Sequence, residues 1–135
     1  MLRDYESVMK AAADPGRARV LKMLESGEMC VCQIVAALGL SQSTISKHLS
    51  LLYAAGLVEE RKQGRWVYFR LSQDRTNEYA ASLLSLIGDW LNRDPTVRAD
   101  AERVRRIRQM PKESLCCPNP GAAIARTLAA GRGRR

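Results

Sequence analysis

The stretch LGLSQSTISKHLSLLYAAGLVEERKQGRWVYFRLS, residues 38–72, constrains the fold more than any other, because its apolar period changes once and abruptly. Up to Gly56 the apolar side chains Ile45, Leu49 and Leu52 recur at helical intervals, and Ser41 is a natural N-cap for the amide of Ser43 or Thr44. Beyond Gly56, Leu57, Val58, Trp66, Val67, Tyr68, Phe69 and Leu71 flank KQGR in a β-rich setting. That pattern predicts a two-stranded hairpin with Gly64 in its turn. Ahead of Ser41, CVCQIVAAL reads as a two-turn helix over 30–38, closed by Gly39 in the left-handed position. Two helices joined by a tight Gly-containing turn, then a basic hairpin, predict a winged helix-turn-helix. The expected fold class is therefore mainly α with a small β-hairpin.

The flanking segments are helical. Leu2, Tyr5, Val8 or Met9 and Ala12 share one face of a helix over 2–12. In DPGRARVLKMLESG, Asp14 caps, Pro15 suits the first helical position and Gly27 ends the turn, leaving Val20, Leu21 and Leu24 as a buried stripe. Residues 75–92 carry a broad stripe of Tyr79, Ala80, Leu83, Leu84, Ile87, Trp90 and Leu91. This exceeds what one small domain needs, so a homodimer is expected, with Leu83, Leu84, Ile87 and Leu91 at its interface. A charged helix over 95–109, with Val97, Ala101, Val104 and Ile107 as a narrow stripe, is expected to be peripheral. The 135 residues divide into one winged helix-turn-helix domain for DNA binding and dimerisation, 1–110, and a mobile tail, 111–135.

The net charge of +8 is uneven. Residues 1–92 are nearly balanced, and almost all the surplus falls in 93–135, so any nucleic-acid footprint in the folded part is a local patch. Gln42, Ser43, Thr44, Ser46 and Lys47 occupy the first turns of the reading helix, where base edges and phosphates come within reach. Arg61, Lys62, Gln63 and Arg65 of the wing would meet phosphate or the minor groove. His48, the only histidine, is expected to face solvent or phosphate.

No apolar run approaches the roughly 20 residues of a membrane span. The charged start MLRDYESVMK lacks the apolar core of a secretory leader, so a cytoplasmic, reducing location is expected. There the four cysteines, Cys30, Cys32, Cys116 and Cys117, are ligands or redox groups sooner than structural bridges. An enzyme is not expected, since no CxxC, βαβ pattern or catalytic set accompanies the thiols, and no organic cofactor is implied. In EMCVCQI, side chains two apart on an ideal helix diverge by about 200°. The thiols of Cys30 and Cys32 should meet only if the backbone departs from helical geometry at Cys30, the expected helix start.

The element order, with EMCVCQI, LSQSTISKHLSLLYAAGLV and RKQGRWVYFRL, resembles the ArsR (ArsR/SmtB) family of metalloregulatory repressors over residues 5–92. EMCVCQI is similar to the ELCVCDL segment of its arsenic-responsive members, with Gln33 in place of the usual Asp and no third cysteine in the helix. The resemblance implies a homodimer that binds double-stranded operator DNA without inducer and leaves it when As(III) or Sb(III) is bound by cysteines. Cys116 and Cys117 resemble the C-terminal vicinal cysteines of some of those members.

Trivalent arsenic takes three thiolates in a pyramid, whereas zinc or cadmium favours a tetrahedral four. The expected ligands are Cys30 and Cys32 with one of Cys116 or Cys117, within a subunit or across the dimer. The alternatives are the tail pair with one helix cysteine, the tail pair alone for a methylated arsenical, all four thiols for Zn(II) or Cd(II), and a thiol-redox sensor. EMCVCQI is expected to be regular without ligand and unwound with it.

Overall fold

The computed structural model describes residues 1–115. Its elements are helices α1 (Leu2–Ala13) and α2 (Pro15–Leu24), strand β1 (Met29–Cys30), helices α3 (Val31–Leu38) and α4 (Gln42–Ala54), strands β2 (Val58–Gln63) and β3 (Trp66–Leu71), and helices α5 (Glu78–Ile87) and α6 (Pro95–Arg108). A 3₁₀ turn, Lys112–Ser114, follows α6.

The caps explain the boundaries. Asp14 accepts from the Arg17 amide and Pro15 opens α2. Gly39 closes α3 at φ 68°, a left-handed conformation that gives the tight turn into α4. Ser41 accepts from the Thr44 amide at 3.2 Å. Ile45, Leu49 and Leu52 then face inward with no exposed surface, alongside Val20, Leu21 and Leu57. Each such fully buried side chain contributes about 1.5–3 kcal/mol, so α4 is held rigidly against α1 and α2 while its other face stays open.

The hairpin turns over the two residues between Gln63 and Trp66, with Gly64 at φ 60°. Its strand β3 pairs on the far edge with β1, Met29 opposite Phe69 and Cys30 opposite Tyr68, giving the order β1-β3-β2. The third strand was not expected. It removes Cys30 from the helix expected over 30–38: Cys30 has φ −78° and ψ 158°, is the last residue of β1, and is the N-cap of α3.

Two further expectations are corrected. The helix expected over 75–92 ends at Ile87, because the Lys22 ammonium takes the Ile87 carbonyl at 2.8 Å and the Asn92 side chain at 2.9 Å. That cation at a helix C-terminus fixes the stop, and Leu91 beyond it sits at a positive φ of 66°. Helix α6 is not peripheral. It lies on α2 and α3, burying Val104 and Ile107, and its Asp100, 2% exposed, receives two hydrogen bonds from Arg19 at 2.8 and 2.9 Å. Arg103 reaches from Asp100 to the Ala37 carbonyl at the C-terminal end of α3. Arg108 binds the carbonyls of Gly27 and Glu28 just ahead of β1. Two arginines of α6 thus hold both ends of the segment that carries Cys30 and Cys32.

Candidate thiolate site and nucleic-acid interface

At the junction of β1 and α3 the two thiols meet. Because Cys30 is extended and Cys32 is helical, the divergence of an ideal helix does not apply, and the Cys32 thiol donates a hydrogen bond to the Cys30 sulfur. The Gln33 side-chain oxygen accepts from the Cys30 amide at 2.9 Å, while the Cys30 sulfur faces the Gln33 amide, so the two residues cap each other. Gln33, which replaces the Asp of the resembled segment, serves this cap without adding a negative charge beside the thiols.

Neither cysteine is in a disulfide and both are buried, with exposures of 0% and 2%. The Cys30 thiol is lowered to about 7, chiefly by the Cys32 hydrogen bond and, against the opposing effect of burial, by the amides of Gln33 and Cys32 and the charge of Lys112. The downward shift favours the thiolate, which is the metal-binding form. Two adjoining soft sulfurs, one readily deprotonated, suit a thiophilic ion. Among the described residues no group of three or more His, Cys, Asp or Glu comes together, so a three-thiolate site needs a further donor. Cys116 and Cys117 lie outside the described residues.

The expected DNA-facing residues divide into two sets. Ser43, Thr44 and Lys47 are exposed on the first turns of α4, with Gln42 and Ser46 half-buried beside them. The Ser41 hydroxyl orients the Thr44 hydroxyl at 2.8 Å. In the wing, Arg61, Lys62, Gln63 and Arg65 are all exposed. Arg61, however, is engaged: it forms two hydrogen bonds with Glu28, a third with Gln63 at 2.6 Å, and lies 4.5 Å above the Tyr68 ring. Arg65 stacks 5.3 Å from the Trp66 ring.

His48 does not face solvent as expected. It turns inward on α4, with Nε2 3.9 Å from Asp14 Oδ2 and Nδ1 buried without a partner. Gly16 makes room for it, since a Cβ there would stand 2.8 Å from Nε2.

The expected interface residues also separate. Leu83 and Ile87 are buried in this chain's own core and Leu84 is half-buried, whereas Leu91 is 44% exposed. The uncovered apolar face consists of Leu2, Tyr5 and Met9 on α1 with Leu86, Trp90 and Leu91 at the end of α5 and beyond. Tyr5 and Tyr79, edge to face at 5.9 Å, join its two halves. The expected interface residues thus divide between this chain's own core and its exposed surface.

A reading helix, a basic wing and a buried thiol pair at the start of the preceding helix define a winged helix-turn-helix regulator of transcription. The chain belongs to the ArsR family. The model of that family, "Bacterial regulatory protein, arsR family", matches residues 14–60. The chain is 48% identical over 101 residues to the arsenical resistance operon repressor of Escherichia coli K12, spanning 74% of this chain and 78% of that one. It is 36% identical over 114 residues to the arsenic resistance transcriptional regulator ArsR1 of Pseudomonas putida KT2440, spanning 82% and 84%. Among solved structures, one described as a possible transcriptional regulator for arsenical resistance superposes with a TM-score of 0.51 at 32% identity, covering 78% of this chain and 97% of that one. The family is one of transcriptional regulators, which is not an enzyme class. Among the described residues no helix is long and apolar enough to cross a membrane.

Proposed function

We propose that this protein is a cytoplasmic repressor that binds operator DNA as a homodimer and releases it when As(III) or Sb(III) is bound by Cys30 and Cys32 with Cys116 or Cys117. The observation that carries the reading is the hydrogen-bonded Cys30–Cys32 pair at the N-terminus of α3. The names of the arsenic-resistance relatives support it.

The pair sits where binding can be felt at the DNA face. Helix α3 leads through the Gly39 turn into α4, and β1 is hydrogen-bonded to wing strand β3. Both thiols are buried, so gathering them with a third around one ion requires the β1–α3 junction to open. A ligand shifts the equilibrium only by its difference in affinity between the two shapes, typically 1–3 kcal/mol of coupling. Displacement of the α3 N-terminus is the structural source of that difference here. The uncovered α1 and α5 face supplies the dimer contact, and a dimer presents two α4 helices to two half-sites.

The experiment is titration of arsenite into an operator complex of the wild type and of Cys32→Ser, with the sulfur count at arsenic read by X-ray absorption. The expected result is release of wild-type protein with three sulfurs per arsenic, and no release of Cys32→Ser. An operator complex that survives saturating arsenite rules out this inducer.

A further inference from the structure

Between α2 and β1 the chain turns at Gly27, φ 121°, and the carbonyls of Gly27 and Glu28 stand just outside the strand. Arg108, exposed on the last turn of α6, supplies their donors. Its Nη2 donates to the Gly27 carbonyl at 3.1 Å and to the Ser26 hydroxyl at 3.0 Å, and its Nη1 donates to the Glu28 carbonyl at 3.1 Å. The Glu28 carboxylate in turn holds Arg61 of the wing. Glu28 thus ties α6 and the wing to the strand that carries Cys30.

The loop matters because everything behind it is sealed. Met29, Cys30, Val31, Cys32 and Ile34 are each at most 2% exposed, so an ion or reagent reaches the thiols only when this segment moves. Strand β1 offers little resistance of its own, being two residues long and paired on one edge. Hydrogen bonds from a charged donor are roughly twice as strong as neutral ones, and Arg108 makes them from a fixed base. Helix α6 is anchored by buried Val104 and Ile107 and by the Arg19–Asp100 pair.

We propose that Arg108 is a positioning residue of the thiol site: from its seat on α6 it latches the loop 26–28, keeps the Cys30–Cys32 pair closed, and so sets how much metalloid is needed to open it. This rests on the metalloid reading above and names what fixes its threshold. The latch favours the closed shape, whereas the ion takes the open one. The apparent affinity for the ion is the intrinsic affinity reduced by the open fraction. A weaker latch therefore makes the protein more sensitive to metalloid, the opposite of what damage to a ligand would do.

The first test needs no metalloid. Iodoacetamide alkylation of Cys30 and Cys32 in the full-length chain is followed by mass spectrometry, and hydrogen exchange is read in parallel. Arg108→Met is expected to speed alkylation of the pair about tenfold and to speed exchange at Met29–Cys32 while the amides of Ile45 and Leu49 in α4 keep their wild-type rates. Loss of a nearby positive charge would by itself disfavour the thiolate and slow alkylation, so acceleration reports opening. Arg108→Lys, which keeps a donor at the same place, should lie between the two. Arg106→Met, on the same exposed turn without contact to the loop, should match the wild type. Unchanged alkylation in Arg108→Met overturns the latch, and so does equal acceleration of exchange in α4, which would mean general loss of stability.

The second test titrates arsenite into the operator complex. The concentration for half-release should fall in Arg108→Met by the same factor as alkylation rises. An unchanged or higher requirement overturns the role in setting the threshold. A wild-type complex that ignores arsenite is a failure of the metalloid reading instead, and the alkylation comparison still decides whether Arg108 holds the thiols closed.

Discussion

Glu28 holds Arg61 in a two-point ion pair, Nε to Oε2 at 3.1 Å and Nη2 to Oε1 at 2.6 Å. The contact joins the residue two before Cys30 to the wing strand that would meet DNA. The Glu28 carboxyl lies below the usual carboxylate range, mainly because of its hydrogen bonds with Arg61. On the proposed reading of the wing as a DNA contact, Glu28 and phosphate compete for one guanidinium. Glu28→Gln is expected to tighten operator binding several-fold at low salt. It should steepen the dependence of log affinity on log salt by about one per subunit, as one more cation becomes free to displace counterions. Fluorescence anisotropy across a salt series reads both quantities. In the Glu28→Gln background, Arg61→Gln should return the slope to near its wild-type value.

The apolar residues of α5 make opposite predictions according to which face they occupy. Leu86 is 51% exposed on the proposed dimer face, whereas Leu83 is 9% exposed within the core. Leu86→Glu is expected to leave the urea midpoint of the monomer unit nearly unchanged while shifting sedimentation equilibrium toward monomer and weakening operator binding. Leu83→Ala should cost about 2–5 kcal/mol of folding stability, the usual range for emptying a packed leucine site.

How much of this was legible in the sequence follows from the range of the forces involved. The Ser41 cap, the Gly39 turn and the change of period at Gly56 are local signals, and they locate α4 and the hairpin to within a residue or two. Strand β1 is two residues long and carries no period of its own. It exists because β3 has a free edge, and with it comes the extended conformation of Cys30 that brings the thiols together. The helix expected over 30–38 therefore begins one residue later, at Val31, with Cys30 as its cap. The buried Asp100 and its partner Arg19 are 81 positions apart, and Lys22 ends α5 from 65 positions away. Charge on a helix reads as solvent exposure until a distant partner is known, which is why α6 was expected at the periphery and His48 at the surface.

Asp100 carries the attachment of α6. Its carboxylate is almost fully buried between Arg19 and Arg103, and removing one partner from such a group leaves the others desolvated without compensation. Asp100→Ala is expected to lower stability by about 3 kcal/mol, the lower end of the range for breaking a buried charge network, because Arg103 retains some water. Urea denaturation measures it. Because Arg103 also holds the Ala37 carbonyl, hydrogen exchange should show the C-terminal turn of α3 opening more readily than α4 in the same variant.

The contact between Asp14 and His48 gives stability two separate acid limbs. Burial pushes the His48 imidazole below its ordinary value of 6.5, with Arg17 and Lys47 adding to the shift and Asp14 opposing it. The unfolded chain therefore protonates first on acidification. Stability is complete above about pH 6.5 and falls as pH drops from there through the lowered folded value. Asp14 is also below its ordinary value of 3.8, chiefly through the hydrogen bond from the Arg17 amide. Its contribution is present above 3.8 and is lost as pH falls through its own lower value. His48→Gln should thus flatten the urea midpoint over the window just below pH 6.5 while leaving the lower limb. Asp14→Ser, which keeps an N-cap oxygen but does not titrate, should flatten the lower limb and, by removing the charge that raises His48, extend the upper one. A single acid limb abolished by either substitution would show instead that the two groups titrate as one unit, despite the 3.9 Å between them.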